Sequence, residues 1–565
     1  MSSPSMLQKL PLHVVQILVG FVVDSCRSEW GDINTYAKEY VVLLRPLLWV
    51  CRNTRAVALS LYCSYYNLDI VDMVFNMGGE TEHLLPYPRT LGYPTHELAK
   101  TMYILVDDES ICAGHALQSL SLLPYGGYTF PKVRTVDIYM LVGGLDVDSR
   151  TDSAVAEANI SAFIQWIRNA VPLVNKIRVR PRFSDTEVVA TGSYYGSLIS
   201  QLFQLADRVK YGHSQQNNVQ VELQLDNINN LVHITYDFDG DIGQFIQLAR
   251  QNSQTLECLV LEYGADADLC RLIRDVGGGL VTFPHLQILK MNGISGLPPS
   301  PRPIFPGAVP FPSLQIISNN AYYAFGDDTL FRGNAATLRD LELTVDRFTV
   351  AMIRRYRVFA PDSHPKLQCV AIRVLGDGNH SDVFATAAEY IRFTLDISPR
   401  VATLVFETGF SCGEFLSQLT LRENYAYIQN LTIQFTQLTF VDVITLIKSL
   451  PLLSVLCARY PVIGPIPNDV AIVNLPAFVC AEYAPIGMRF RYWRLSYYMG
   501  LAEEFEAAVC VLMLAFVCPN FDFVIPTSLV VKSFKAQLEQ VIGVWRVEEH
   551  EPRLRRLVTH LPQVF

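Results

Sequence analysis

Apolar positions along most of this chain follow two alternating rhythms. The first is a six-residue phrase in which a leucine-like residue is followed, three and five positions on, by two more apolar residues. It reads VRTVDI from Val133, VNKIRV from Val174, LVHITY from Leu231, LECLVL from Leu256, LQILKM from Leu286 and LQIISN from Leu314. It returns as LRDLEL from Leu338, LQCVAI from Leu367, VATLVF from Val401, IQNLTI from Ile428, LLSVLC from Leu452 and FRYWRL from Phe490. Its second half alternates apolar and other residues, as a short strand with one buried face requires. The second rhythm is helical, in DIGQFIQLARQNSQ, DADLCRLIRDVG, SDVFATAAEYIRFTLDIS, GEFLSQLTLREN and TFVDVITLIKSL, several of which open on Asp or Ser at an N-cap position.

Between Leu231 and Leu452 successive phrases start 25, 30, 28, 24, 29, 34, 27 and 24 residues apart. A strand and a helix repeated in this way cannot bury their apolar sides alone, and stacking builds a one-dimensional core. L-x-x-L-x-L at this period is the sequence sign of leucine-rich repeats. The expectation is an α/β fold, an irregular leucine-rich-repeat solenoid over residues 130–500, horseshoe-like, with parallel strands lining its concave face. Residues 66–129 read as a linker and first irregular repeats, and 501–565 as a C-terminal repeat with capping helices. Gly264, Asp346, Leu375, Gly409, Thr436 and Tyr460 stand where the repeat consensus has Asn or Cys, so no regular asparagine ladder is expected. A doubly wound α/β domain is the alternative, but no glycine-rich phosphate loop follows any strand. The proline-rich segment 296–312 reads as an insertion loop with φ fixed by its prolines.

The N-terminal region differs. LPLHVVQILVGFVV (residues 10–23) places Leu10, Val14, Ile17, Leu18 and Phe21 on one helical face, with Pro11 at a tolerated first-turn position. After a polar interval, VVLLRPLLWVCRNTR resumes an apolar helical pattern. The first run is too short for the ~20 apolar residues that span a bilayer. It also lacks the basic flank and small-residue cleavage site of a signal peptide. AAVCVLMLAFVC (507–518) falls short too, so both read as core or interface segments, with no membrane partner expected.

Composition narrows the choice. At 565 residues the chain exceeds the ~250–300 at which single cores stop growing, consistent with extension by repetition. Its net charge of −9 makes nucleic acid a poor principal partner. The short basic clusters RPRF (180–183), RRYR (354–357) and RLRR (553–556) read as solvated faces and ends. Twelve scattered cysteines with no C-x-x-C offer neither a zinc site nor a redox motif, and suit reduced thiols in the cytoplasm or nucleus.

No catalytic constellation can be assembled. YDFDGD (236–241) resembles the start of a calcium loop but lacks the closing glutamate. VGGGL (276–280) reads as a helix stop and loop, since no GK[ST] follows. His115, His213, His285 and His364 have no acid or cysteine at ligand spacing, and no G-x-S-x-G elbow occurs. The expectation is a non-enzyme without metal or cofactor. A hydrolase assembled from distant residues is the other class left open.

The N-terminal residues Leu10-Pro11, Val14, Ile17-Leu18, Leu43-Leu44, Leu47, Val50-Cys51-Arg52 and Arg55 resemble an F-box. His13 stands where that family usually carries an acid. With the repeats downstream, the chain is similar to divergent fungal-type F-box proteins with leucine-rich repeats, the F-box covering roughly residues 8–60 within a helical domain 1–65. The resemblance implies a substrate-recognition subunit of a Skp–cullin–F-box E3 ubiquitin ligase. Leu10, Pro11, Val14, Ile17, Leu18, Leu44, Leu47 and Val50 would dock on the Skp-type adaptor and, through it, reach a cullin. The solenoid would bind a protein substrate through outward strand positions such as Lys290, Glu342, Arg373, Glu407 and Gln434. The alternative is a leucine-rich-repeat scaffold without a ligase role, in which the N-terminal helices only cap the solenoid.

Overall fold

The computed structural model describes residues 72–76, 101–122, 129–142, 153–183, 193–212, 223–237, 243–262, 269–292, 309–320, 333–374, 383–419, 427–458, 492–495, 501–518, 522–524 and 536–543, apart from a few positions inside those spans. The eight adaptor-docking positions and most of the 296–312 loop lie outside the described residues. The chain divides into two units, with the main division between Asn252 and Ser253.

In the first unit, β1 (Asp72–Asn76), β2 (Thr101–Asp107), β3 (Thr135–Val142), β4 (Lys176–Phe183), β5 (Arg208–Gly212) and β6 (His233–Asp237) pair in sequence order, each parallel to the next. Between or after them lie α1 (Asp108–Cys112), α2 (His115–Leu122), α3 (Ser153–Ala170), α4 (Ser193–Phe203) and α5 (Gly243–Gln251).

The second unit carries β7 (Cys258–Glu262), β8 (Ile288–Asn292), β9 (Ile316–Asn320), β10 (Asp340–Val345), β11 (Cys369–Val374), β12 (Thr403–Ser411), β13 (Asn430–Gln437), β14 (Val455–Ala458), β15 (Tyr492–Leu495) and β16 (Asp522–Val524). From β8 onward every sequential pair is parallel. Its helices are α6 (Leu269–Ile273), α7 (Arg347–Tyr356), α8 (Ala387–Ile397), α9 (Cys412–Leu419), α10 (Phe440–Ser449) and α11 (Leu501–Val517). This is a solenoid-like α/β arrangement, because each strand is added beside its predecessor and none is inserted between earlier ones.

All twelve phrases fall on strands, and eleven of them start two residues before the strand does. The twelfth is corrected by one residue. Leu453 and Leu456 are buried while Leu452 and Val455 are half-buried, so the phrase runs from Leu453 and not Leu452. A one-residue slip exchanges the two faces of a strand.

The cause of that register lies in the turn before the strand. Six repeats enter through an X-Pro-x-apolar turn in which the fourth residue's N–H donates to the first residue's carbonyl. The pairs are Val133 to Phe130, Val174 to Val171, Leu286 to Phe283, Leu314 to Phe311, Leu367 to His364 and Leu453 to Leu450, at 2.9–3.4 Å. Proline second in the turn presets the φ that a type I turn needs there. In Leu450-Pro451-Leu452-Leu453 the proline therefore selects Leu453 as the inward leucine. Phe283 and Phe311, first in their turns, are fully buried with ring centroids 5.4 Å apart, so the turns also feed the core.

Successive repeats are fastened by one recurring bond pattern. The Glu257 carbonyl accepts from the N–H groups of both Gln287 and Ile288. The Gln287 carbonyl accepts from Gln315 and Ile316, Gln315 from Arg339 and Asp340, and Arg339 from Gln368 and Cys369. The same step continues through Gln368, Ala402 and Gln429 to Ser454 and Val455. Backbone groups that would otherwise be orphaned at each strand entry are thus satisfied by the neighbouring repeat.

Local signals agree with the helices. Thr439 caps α10 in a reciprocal box with Asp442, and Ser411 and Glu414 exchange equivalent bonds at the start of α9. VGGGL does follow a helix stop: Gly278, at φ +81°, turns the chain so that Gly279 donates to Asp275 Oδ1 at 2.6 Å. Residues 508–515 of α11 are all buried. No helix among the described residues is long and apolar enough to cross a membrane.

Candidate functional site

Alternate residues of each strand turn away from the packed helices, and their side chains decide what the open sheet face offers. In the second unit Lys290, Ser318, Glu342 and Ala371 stand in register on β8 to β11. Arg373, one rung further along β11, donates to Glu342 at 3.0 Å. Three positions expected to contact a substrate therefore share this face, and two of them pair with each other. The side chains of Glu407 and Gln434 lie outside the described residues. Their strands shift register between Val405 and Gly409, which places Gly409 opposite Gln434.

Among the described residues, the strongest concentration of charge lies in the first unit. Lys176, Arg178 and Arg180 occupy alternate positions of β4, and Arg208 and Lys210 occupy the matching positions of β5. One rung reads Thr135, Lys176, Arg208, His233 across β3 to β6, and the next reads Asp137, Arg178, Lys210, Thr235. Five cations thus face two carboxylates, Asp137 and Asp237, in a chain of net charge −9.

Asp137 is 0% exposed and anchors the arrangement. Arg180 donates to it through Nε at 3.0 Å and Nη2 at 2.8 Å, and Arg178 Nη1 lies 3.6 Å away. The Arg180 guanidinium also sits 4.8 Å above the Tyr139 ring centre. RPRF is accordingly not a solvated end, because its first arginine is half-buried and doubly bonded. Lys210 reaches Asp237 at 3.4 Å. Among the described residues, Lys176 and Arg208 make no ion pair.

The crowding of like charge shows in the titration of its members. Burial first, then Arg178, Arg208 and Lys210, pull the Lys176 ammonium below its ordinary range. Burial and then Lys176, Arg208, Lys210 and Arg178 bring His233 down to about 4, so this imidazole is neutral at physiological pH. Its Nε2 lies 2.9 Å from Thr235 Oγ1. Beneath the patch, Tyr211 is stacked on Tyr236 with centroids 6.1 Å apart and shares a 3.0 Å hydroxyl bond with Tyr195. These rings pack β5 and β6 from the core side.

The patch was legible only in part. K-I-R-V-R in β4 and R-V-K in β5 each carry cations at period two, the spacing of one strand face. That the two runs lie side by side is decided by pairing across about thirty residues.

Chemically, this concentration of cations suits recognition of anions. Among the described residues no group of His, Cys, Asp and Glu is arranged to hold a metal ion. The Cys369 and Cys412 thiols are pushed up by burial, to about 11 and about 12, which disfavours the nucleophilic thiolate.

Comparison with protein-family models finds no match to this chain, and comparison with curated proteins finds none either.

Proposed function

We propose that this chain is the substrate-recognition subunit of a Skp–cullin–F-box type ubiquitin ligase. Its N-terminal helices would dock on the Skp adaptor, and its stacked leucine-rich repeats would hold a protein target. The observation that carries the recognition half is the open strand face: sequential parallel strands present charged and polar side chains in registered rows. Such a surface binds an extended partner by many modest contacts, without chemistry of its own. The ligase half rests on the Leu10-Pro11, Ile17-Leu18 and Val50-Cys51-Arg52 pattern. The subunit would contribute effective concentration, holding a target lysine near the ubiquitin-charged enzyme.

A second reading, a leucine-rich-repeat scaffold without a ligase role, is favoured by one observation. Strand β1, the first among the described residues, begins at Asp72, close in sequence to the N-terminal segment, and repeat arrays need capping units. Capture of purified Skp-type adaptor by the full-length chain separates the two. The ligase reading expects capture by the wild type and its loss in Leu18→Asp and Val50→Asp. Equal capture by the wild type and both variants, or none by the wild type, leaves the scaffold.

A further inference from the structure

We propose that the Lys176–Arg208 rung of the open sheet face, backed by Arg178 and Lys210, binds an acidic segment of a partner protein through its Asp and Glu carboxylates. The proposal rests on the reading of that face as a protein-recognition surface.

The sheet itself shows which anion these positions accept. Asp137 takes the charge of Arg180 and approaches Arg178, and Asp237 takes that of Lys210. Both are carboxylates on strands neighbouring the cations they serve. The adjacent rung has the same cationic spacing and no carboxylate: its flanking members are Thr135 and a neutral His233. Lys176 and Arg208 are held beside one another with no ion pair among the described residues, and Asp137 acts on Lys176 only from the next rung. Arg178 adds a buried Nε with no hydrogen-bond partner among the described residues. A carboxylate brought to this rung would relieve repulsion already built into the fold.

Spacing selects the shape of the ligand. Side chains two apart on one strand stand about 7 Å apart, and those on neighbouring strands about 5 Å apart. Lys176 with Arg178, and Arg208 with Lys210, therefore match the alternate side chains of an extended segment lying along the strands. The cations are spread over two rungs and do not converge on one point, which favours several carboxylates over a single compact dianion. Nucleic acid fits less well. On this face Tyr139 is covered by Arg180, and Tyr103 packs against Tyr139 with ring centroids 6.3 Å apart.

Fluorescence anisotropy of the full-length chain with a short labelled peptide carrying Glu at alternate positions tests this. The expected result is binding to the wild type that weakens about tenfold or more in Lys176→Gln/Arg208→Gln, with a Gln-for-Glu peptide equally weak on the wild type. Charge reversal, Lys176→Glu/Arg208→Glu, should transfer binding to a peptide with Lys at the same positions. Thermal melts of each variant confirm that it is folded, and single Lys176→Gln, at a half-exposed site, serves if the pair is not. Equal binding of the Glu and Gln peptides, or unchanged affinity in the folded Gln variants, overturns the proposal. So does displacement of the peptide by single-stranded RNA at lower concentration than by unlabelled peptide. A phosphoserine peptide more than about tenfold tighter than the Glu peptide overturns the carboxylate assignment. Adaptor capture by the same preparations keeps the two readings apart: Leu18→Asp should leave peptide binding intact, and Lys176→Gln/Arg208→Gln should leave adaptor capture intact.

Discussion

Arg180 grips Asp137 from the neighbouring parallel strand, donating through Nε and Nη2 to both oxygens of a carboxylate that has no exposed surface. A bidentate pair of this kind fixes geometry as well as charge. It also leaves Asp137 wholly dependent on its arginines, because water cannot replace them.

Asp137→Asn should therefore destabilise the fold by about 2–4 kcal/mol, since it turns one buried acceptor into an amide donor facing Arg180 and removes the charge that balances Arg178 and Arg180. Arg180→Met should cost as much or more by leaving Asp137 buried and under-paired. Urea unfolding of the two variants checks this, and an unchanged midpoint in both would show the pair to be dispensable.

The second prediction concerns pH. His233 titrates near 4 in the folded chain against about 6.5 unfolded, so the unfolded chain binds the extra proton first as pH falls. Its stabilising contribution is complete above pH 6.5, declines through the window from 6.5 to 4, and is gone below. Partial exposure limits the effect to about 1–3 kcal/mol. Carboxylates titrate over part of the same range, so the informative quantity is the difference from His233→Gln. That difference should shrink as pH drops from 7 to 4, and a pH-independent difference would contradict the folded value.

Asn252 carries the third. It is 2% exposed, accepts from Leu231 N–H at 2.8 Å, and donates to the carbonyls of Ile228 at 2.8 Å and Leu248 at 2.9 Å. Asn252→Ala should lower stability by about 2–4 kcal/mol, because three buried backbone groups each lose a side-chain hydrogen bond, the Leu248 carbonyl keeping only the backbone N–H of residue 252. Asn252→Asp should not rescue it, since a carboxylate cannot donate to the two carbonyls. Thermal denaturation of both variants is the measurement, and a melting point within error of wild type for the Asp form would refute the donor role.

Asn252 also illustrates what the sequence conceals. The absence of Asn or Cys at the consensus position predicted no regular asparagine ladder, and an asparagine at the end of a helix performs a comparable backbone-satisfying task for one repeat. Nothing in the local pattern marks it, because its three partners lie up to twenty-four residues away. The four strands without a recognised phrase have a simpler cause in two cases: Ala99 and Ala206 stand two residues before β2 and β5, where the recognised repeats have a larger apolar residue.

The chain's own pattern determined the strand-and-helix alternation, the twelve strand positions and, among the strands whose side chains are described, the inward face of ten. Those features depend on period-two burial and on X-Pro-x-apolar turns, both of which act over a few residues. Tertiary structure alone decided that Lys176 lies beside Arg208, that Arg180 closes on Asp137, and that Glu342 and Arg373 satisfy each other. Each of these needs two distant strands brought into one register, and local periodicity carries no information about which strand will be the neighbour or which rung it will share.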